Sequence, residues 1–263
     1  MKKRNMVVGP VLTPDWLRKV GRVFSELFRQ LCLGLENPGK GLTVDQLQLV
    51  TEHRNPFARA VQVVGDSLSR AKEIMGKNFL GAEEAIRFLR ANQAEEEAMK
   101  KLTEIPFSEP TLQECKNTHV LVLDLGLSIL DIRQRVDQKL FCSHEDAWYN
   151  NQAFAKLIEL AQWRLIRRDA IPNSFNKNWE EQLVLLAKNE EVPEARQIAY
   201  LAILYYLAKG ERLFEHFYVR TRSIASDGLR VSAGGFAARG FGFDRWWDDC
   251  RDDGIGLSSS RKS

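Results

Sequence analysis

The chain has 263 residues, is 44% hydrophobic and 28% charged, and carries a formal net charge of +3, with an isoelectric point near 8.6. That length accommodates one large domain or two smaller ones with a sizeable core, and the composition is that of an ordinary globular chain. The weakly basic balance gives no argument for a nucleic-acid partner. No run of eighteen apolar residues occurs, which excludes a spanning helix. The opening Met1–Trp16 is basic, but Gly9, Pro10 and Pro14 interrupt its apolar part, so it does not read as a signal peptide. A cytoplasmic protein without a membrane partner is expected. Cys32, Cys115, Cys142 and Cys250 lie far apart with no CxxC pair, and His53, His119, His144 and His216 are equally scattered. Free thiols are expected, and no metal or cofactor site.

In chain order, Thr13-Pro14-Asp15 starts a helix whose apolar face is Trp16, Val20, Val23, Phe24, Leu27 and Leu31. Asn37-Pro38-Gly39 ends it. Thr43 to Gln46 fits a capping box for a helix to about Glu52, and Asn55-Pro56 breaks that one. Phe57 to Met75 predicts a third helix, Gly76 to Gly81 a turn, and Glu83 to Leu102 a further helix. Its run Glu95-Glu96-Glu97 is most simply a solvated face. Pro106 and Pro110 mark a change of character. Thr118 to Leu125 is apolar and rich in Val and Leu, the pattern of a buried strand. Ser128 to Val136 is a second strand or a short helix.

Ala147 to Leu160 predicts a helix, Trp163 to Arg168 a strand, and Ile171-Pro172-Asn173-Ser174 a turn. Arg164, Arg167 and Arg168 read as a solvated strand edge, with phosphate binding as the alternative. Trp179 to Lys188 is helical. Val192-Pro193-Glu194 opens the strongest helix, with Pro in its first turn. Ile198, Leu201, Ala202, Leu204, Tyr205 and Leu207 make it apolar nearly all round, hence buried, and Gly210 stops it. Phe214 to Thr221 is a strand. Beyond it Asp227-Gly228 and Gly234-Gly235 are turn signals between brief strands such as Leu229-Arg230-Val231 and Phe241-Gly242-Phe243.

The tail from His216 to Arg261 contains no Lys, Glu, Gln or Met, whereas 51 of the first 215 residues are of those four types. Within it, Trp246-Trp247-Asp248-Asp249 and Arg251-Asp252-Asp253 form the densest polar-aromatic cluster. Its spacing does not match a calcium-binding loop, and turn-capping aspartates paired with Arg245 and Arg251 explain it more simply. Cys250 has no nearby histidine to activate it. Ser258-Ser259-Ser260 lacks the GxSxG elbow. Gly234, Gly235, Gly240 and Gly242 do not form a dinucleotide fingerprint. Ser143-His144-Glu145-Asp146 reads as a capped helix start, and Tyr205-Tyr206 as core.

The order RV-x-x-GGF followed by RWWDD-x-R-DD-x-IGLSSSR resembles the C-terminal end of variable proteins of diversity-generating retroelements. The likeness is specific over about 45 residues. It implies a C-type-lectin-like domain related to the formylglycine-generating-enzyme fold, with Gly234-Gly235-Phe236 and Ile255-Gly256-Leu257 on its strands and the Pro193 helix as its second helix. In that family, mutation at template adenines, mostly in AAC or AAT codons, cannot produce Lys, Glu, Gln, Met or Trp, which agrees with four absences in the tail. Carried over residue by residue, the varied, solvent-facing positions are Leu229, Ser232, Gly235, Gly242, Asp244, Arg245, Cys250, Asp252, Asp253 and Gly254. Val231, Phe236, Trp247, Asp248, Asp249, Arg251, Gly256 and Leu257 are scaffold. Such loops suit adaptable contacts.

The expected fold is therefore α+β. A helical N-terminal region (1–103) precedes a C-type-lectin-like domain (104–263) with short antiparallel strands and two helices, whose segment 216–263 displays the ligand site. The expected function is binding of a variable protein ligand, without catalysis. The alternatives are an enzyme on the same fold or a nucleic-acid-associated helical protein.

Overall fold

The computed structural model describes residues 58–142 and 146–262, with side chains from Ser67 onward. The helices expected before Ala58, and the Ser143–Glu145 part of the expected helix start, lie outside these residues. Residues 64–263 form one compact unit.

The apolar run at Val120 becomes a strand buried on both faces. Strand β2 (His119–Asp124) sits between β1 (Phe79–Leu80), to which it is parallel, and β3 (Gln162–Arg167), to which it is antiparallel. With β4 (Glu190–Glu191) and the terminal β9 (Ser260–Arg261), these make a five-stranded sheet in the order β1-β2-β3-β9-β4. A four-stranded sheet, β7-β6-β5-β8, is built from β5 (Tyr218–Ile224), β6 (Arg230–Ala237), β7 (Gly240–Trp246) and β8 (Ile255–Leu257). The class is thus mixed α+β, with eight α-helices among the described residues. The strands are not all antiparallel: β1 with β2 and β5 with β8 run parallel.

The helices are α1 (Ala58–Met75), α2 (Ala82–Leu89), α3 (Gln93–Met99), α4 (Glu109–Cys115), α5 (Ile129–Arg135), α6 (Ala153–Lys156), α7 (Trp179–Leu183) and α8 (Ala195–Lys209); α2, α5 and α6 pack against α8. Helix α8 is the organising element and touches both sheets. Every residue from Ala195 to Tyr205 is buried, each buried Leu or Ile contributing about 1.5–3 kcal/mol. Glu194 is its N-cap, and the Glu194 backbone N–H donates to the Gln197 side chain at 3.0 Å. Pro193 therefore precedes the cap rather than standing in the first turn. Gly210 closes the helix at φ 74°, the left-handed conformation glycine adopts without strain. Residues from Ala71 to Leu102 pack into the same core as the strands.

Several sequence expectations are corrected. Gly76 to Gly81 is not only a turn, because Phe79 and Leu80 pair with β2. The helix expected over Glu83–Leu102 breaks at Arg90 (φ 51°), and Asn92 caps α3 in a box with Glu95. Glu95 is not solvated: its carboxylate takes two 2.8 Å hydrogen bonds from Arg135, which hold it below the usual carboxylate range. Of the two readings left open for Ser128–Val136, the short helix holds: Ser128 caps it and Asp131 completes the capping box. The helix expected to run to Lys188 ends at Leu183. The strand expected from Phe214 begins at Tyr218, since Phe214 has φ 56°. The Gly234-Gly235 pair is not a turn but lies inside β6 at a register shift, the position of a β-bulge.

The expected helix over Ala147–Leu160 shrinks to Ala153–Lys156: residues 148–151 form turns, and at the other end Glu159 is recruited elsewhere. Its N–H donates to the Gly126 carbonyl at 2.9 Å, and its carboxylate accepts from Arg164 at 2.5 Å and from Arg196. Asp124 accepts from Arg164 Nε at 2.7 Å and from both terminal nitrogens of Arg196 at 3.1 and 3.0 Å. Two guanidinium groups are thus balanced by two carboxylates where α8 meets β2 and β3. Arg164 therefore points into the core rather than lining a solvated edge, and Ile158 and Leu160, on either side of Glu159, are left exposed.

Candidate ligand-display face

In antiparallel sheets, directly paired residues point to one side. The pairs Val219–Ala233 and Ala233–Phe243 set the inner side, where Val219, Val231, Ala233, Phe241 and Phe243 are all buried. Phe243 packs edge-on against Tyr149 at 4.7 Å. The pairs Tyr218–Gly234–Gly242, Arg220–Ser232–Asp244 and Arg230–Trp246 set the outer side. The open edge of β7 is covered in part: the Cys142 N–H donates to the Phe241 carbonyl at 2.9 Å and Trp148 Nε1 to the Phe243 carbonyl at 3.1 Å. This blunts pairing with another chain.

Glycine forms the floor of the outer side, and Tyr218 lies on it. A Cβ added to Gly242 meets the Tyr218 hydroxyl at 2.8 Å, and one added to Gly235 meets the ring end at 2.7 Å. Burial, and then the charge of Asp244, push the Tyr218 phenol up.

Beside this floor the segment Trp247–Gly254 is tethered mainly through its backbone. Buried Arg220 donates to the Cys250 carbonyl at 2.6 Å, the Lys177 carbonyl at 2.8 Å and Gln182 Oε1 at 3.0 Å. The Asp248 carbonyl accepts from Trp179 N and the Asp252 carbonyl from Asn176 N. Asp248 also pairs with Arg230 at 2.6 Å, whose guanidinium lies 3.6 Å above the Trp179 ring. Arg251 pairs with Glu181 at 2.7 Å, and that hydrogen bond is the main cause that takes the Glu181 carboxyl down to about 2. Arg245 pairs with Asp227 at 2.6 Å and stacks 4.3 Å from Trp148. Among the described residues, Asp244, Asp249, Asp252 and Asp253 have no basic partner.

The ten expected display positions do not all behave alike. Ser232, Gly235, Gly242 and Asp244 gather around Tyr218, but Ser232 and Gly242 are buried rather than solvent-facing. Gly235 has φ 58°, which an L side chain adopts only with strain. Cys250, Asp252, Asp253 and Gly254 share the tethered loop, with Asp253 exposed and the other three half-buried. Leu229 and Arg245 are half-buried and stand apart: Leu229 follows the Asp227-Gly228 turn and Arg245 lies on the inner row. Of the expected scaffold, Val231, Phe236, Gly256 and Leu257 are buried, whereas Trp247 is 66% exposed because the tether grips its neighbours' backbone and leaves the ring outside. Asp248, Asp249 and Arg251 are exposed as well.

Sequence reasoning missed Tyr218 and Arg220. Glycines that leave bare backbone facing an aromatic on the neighbouring strand are a usable signal for Tyr218. Arg220 gives none, since nothing local distinguishes it from Arg222, which pairs with Glu194 nearer the surface. Ser258, Ser259 and Ser260 are buried. Among the described residues no group of three or more His, Cys, Asp or Glu is placed to hold a metal, and no helix is long and apolar enough to cross a membrane. Compared with family models, with curated proteins and with solved structures, the chain matches none.

Proposed function

We propose that this protein displays a ligand-binding surface formed by its tail, that the surface is diversified by a retroelement, and that the domain carrying it is C-type-lectin-like. The ligand is a protein surface, and the protein is not an enzyme. The observation that carries this reading is the anchoring of the Trp247–Gly254 loop. Arg220 grips the Cys250 carbonyl of the loop, the Lys177 carbonyl and one glutamine, so side chains at Cys250 and Asp253 can change without loss of the tether, whereas Asp252 also accepts the Gly254 N–H at 2.7 Å. A backbone held independently of its side chains is what a variable surface needs. The buried helix against two sheets, with β9 returning to pair beside β3, is compatible with the lectin-like reading. The tail's lack of Lys, Glu, Gln and Met supports the diversification.

Sequencing the DNA beside the gene tests this. A reverse-transcriptase gene and a near-copy of the tail's coding segment, differing at adenines, are expected. Their absence overturns diversification, and identical tails across many isolates weigh against variation of any origin.

A further inference from the structure

Away from the display face, a cavity of about 420 Å³ opens between the Asn117–Thr118 turn, the end of β3 and the loop that follows α8. Three arginines line it: Arg167, Arg168 and Arg212. Arg168 is committed, donating to Asn78 Oδ1 at 3.0 Å and pairing with Glu211. Lys77 also reaches Glu211, at 3.4 Å, so that acid is neutralised. Arg167 and Arg212 have no carboxylate partner among the described residues. Arg167 uses only Nε, weakly, on the Ala170 carbonyl at 3.4 Å. Arg212 lies over Tyr206 at 4.9 Å and Phe236 at 5.6 Å, and its buried Nε has no hydrogen-bond partner. A guanidinium steadied on aromatic faces, none of whose nitrogens has a hydrogen-bonded acceptor among the described residues, keeps its outer donors for a planar or tetrahedral oxyanion.

The wall carrying Arg212 is itself held. Gly210 turns the chain out of α8, the Phe214 carbonyl accepts from Phe236 N at 3.1 Å, and Phe214 and Phe217 pack edge-on at 5.9 Å. Besides Glu211, two more acids line the cavity. Asp169 accepts its neighbour's Ala170 N–H at 2.8 Å, and Glu215 lies 3.8 Å from exposed His216. Their remaining carboxylate oxygens are acceptors on the same lining. Such a lining disfavours a bare polyanion and favours a molecule with hydroxyl donors next to its anionic group.

The geometry points to a binding site for a small hydroxylated organic anion, its oxyanion held by Arg167 and Arg212 and its hydroxyls by Asp169 and Glu215. The volume is within the range of small-molecule pockets. The site is independent of the display surface, and its success or failure leaves that reading untouched.

Titration calorimetry of the full chain with glucose 6-phosphate, glucuronate, glucose and inorganic phosphate tests it. Saturable binding of glucose 6-phosphate or glucuronate is expected, with glucose and inorganic phosphate each at least tenfold weaker. Which of the two hydroxylated anions binds tighter separates a phosphate ligand from a carboxylate one. Arg212→Met and Arg167→Met each lower that affinity at least tenfold, while Arg212→Lys, which keeps the charge, loses less. The Arg212 Nε–H resonance moves on saturation, a readout that survives if Arg212→Met fails to fold. Inorganic phosphate binding as tightly as the hydroxylated anions overturns the proposal. So does no binding of either hydroxylated anion, or an unmoved Arg212 resonance at saturation.

Discussion

Arg220 reaches the backbone of Cys250 with a 2.6 Å hydrogen bond, although it is fully buried and faces no carboxylate in any ion pair among the described residues. Burial consequently pulls its guanidinium below the usual arginine range. Its charge is dispersed over the carbonyls of Lys177 and Cys250 and the Gln182 side chain. Charge-assisted bonds of this kind contribute about 1.5–3 kcal/mol each. Arg220→Met removes the donor from one buried and two part-buried acceptors and is expected to lower unfolding free energy by about 3 kcal/mol. Cys250→Ser and Cys250→Ala, which keep the carbonyl, are expected to stay within about 0.5 kcal/mol. Urea titration of the variants checks both. A Cys250→Ala loss as large as that of Arg220→Met defeats the idea that the loop is held by its main chain.

The contact between Tyr218 and Gly242 makes a second prediction. Gly242→Ser places a side chain 2.8 Å from the phenol oxygen, so Tyr218 has to swing away or the sheet has to shift. Gly242→Ser alone is expected to cost about 1–3 kcal/mol as an overpacking change. In a Tyr218→Ala background it is expected to cost less, with a coupling energy of about 1 kcal/mol or more. Additive losses in the double-mutant cycle defeat the prediction. The same coupling means that a substitution at Gly242 also repositions the Tyr218 side chain on the outer side of the sheet.

What could be read from the sequence follows where the physics is local. The buried strand at Val120, the helix ended by Gly210 and the turn at Asp227-Gly228 depend on apolar runs and backbone preferences within a few residues. They stand where expected. What failed depended on distant partners. Ala147 to Leu160 has helix-forming residues, but Glu159 is drawn out of helical geometry by Arg164 and Arg196. Glu97 is exposed as expected, but Glu95 is taken by Arg135, which lies 40 residues away. Arg164 and Arg167, three apart, separate into a core ion pair and a cavity wall, and no local pattern distinguishes them. Within the display segment the framework of Val231, Phe236 and Leu257 was legible from apolarity. The burial of Ser232 and the exposure of Trp247 were not, because both depend on how the Trp247–Gly254 loop lies beside the sheet.

His119 yields a prediction in pH. It is 1% exposed, its Nδ1 lies 2.8 Å from the Thr118 hydroxyl, and its Nε2 is 3.8 Å from Glu190. Burial is the largest influence and outweighs the Glu190 carboxylate, so the imidazole titrates below its ordinary 6.5. The folded state then binds fewer protons than the unfolded state just below pH 6.5. The stability this represents is present above 6.5 and is lost as pH falls through that value towards the folded one. The slope is at most about 1.4 kcal/mol per pH unit for one group. His119→Gln is expected to flatten the decline between pH 6.5 and 5.5, whatever its own cost in stability. An unchanged slope in the variant excludes His119 as the source.

Asp124 is the residue whose loss the core is expected to tolerate least. It takes hydrogen bonds from Arg164, from both terminal nitrogens of Arg196, and from the Gly126 backbone N–H at 2.9 Å. Asp124→Asn keeps the shape but removes the charge, leaving two guanidinium groups facing Glu159 alone. Breaking a buried pair in this way costs about 3–5 kcal/mol, because a cation is left uncompensated in low dielectric. Replacing the pair as a whole is a different experiment. Asp124→Leu with Arg196→Met removes one charge of each sign and leaves Arg164 with Glu159. The double variant is therefore expected to be more stable than Asp124→Asn, even though it discards more hydrogen bonds. Guanidinium unfolding of the three proteins decides this. A double variant less stable than Asp124→Asn means that hydrogen bonding, rather than charge balance, holds the start of α8 against β2 and β3.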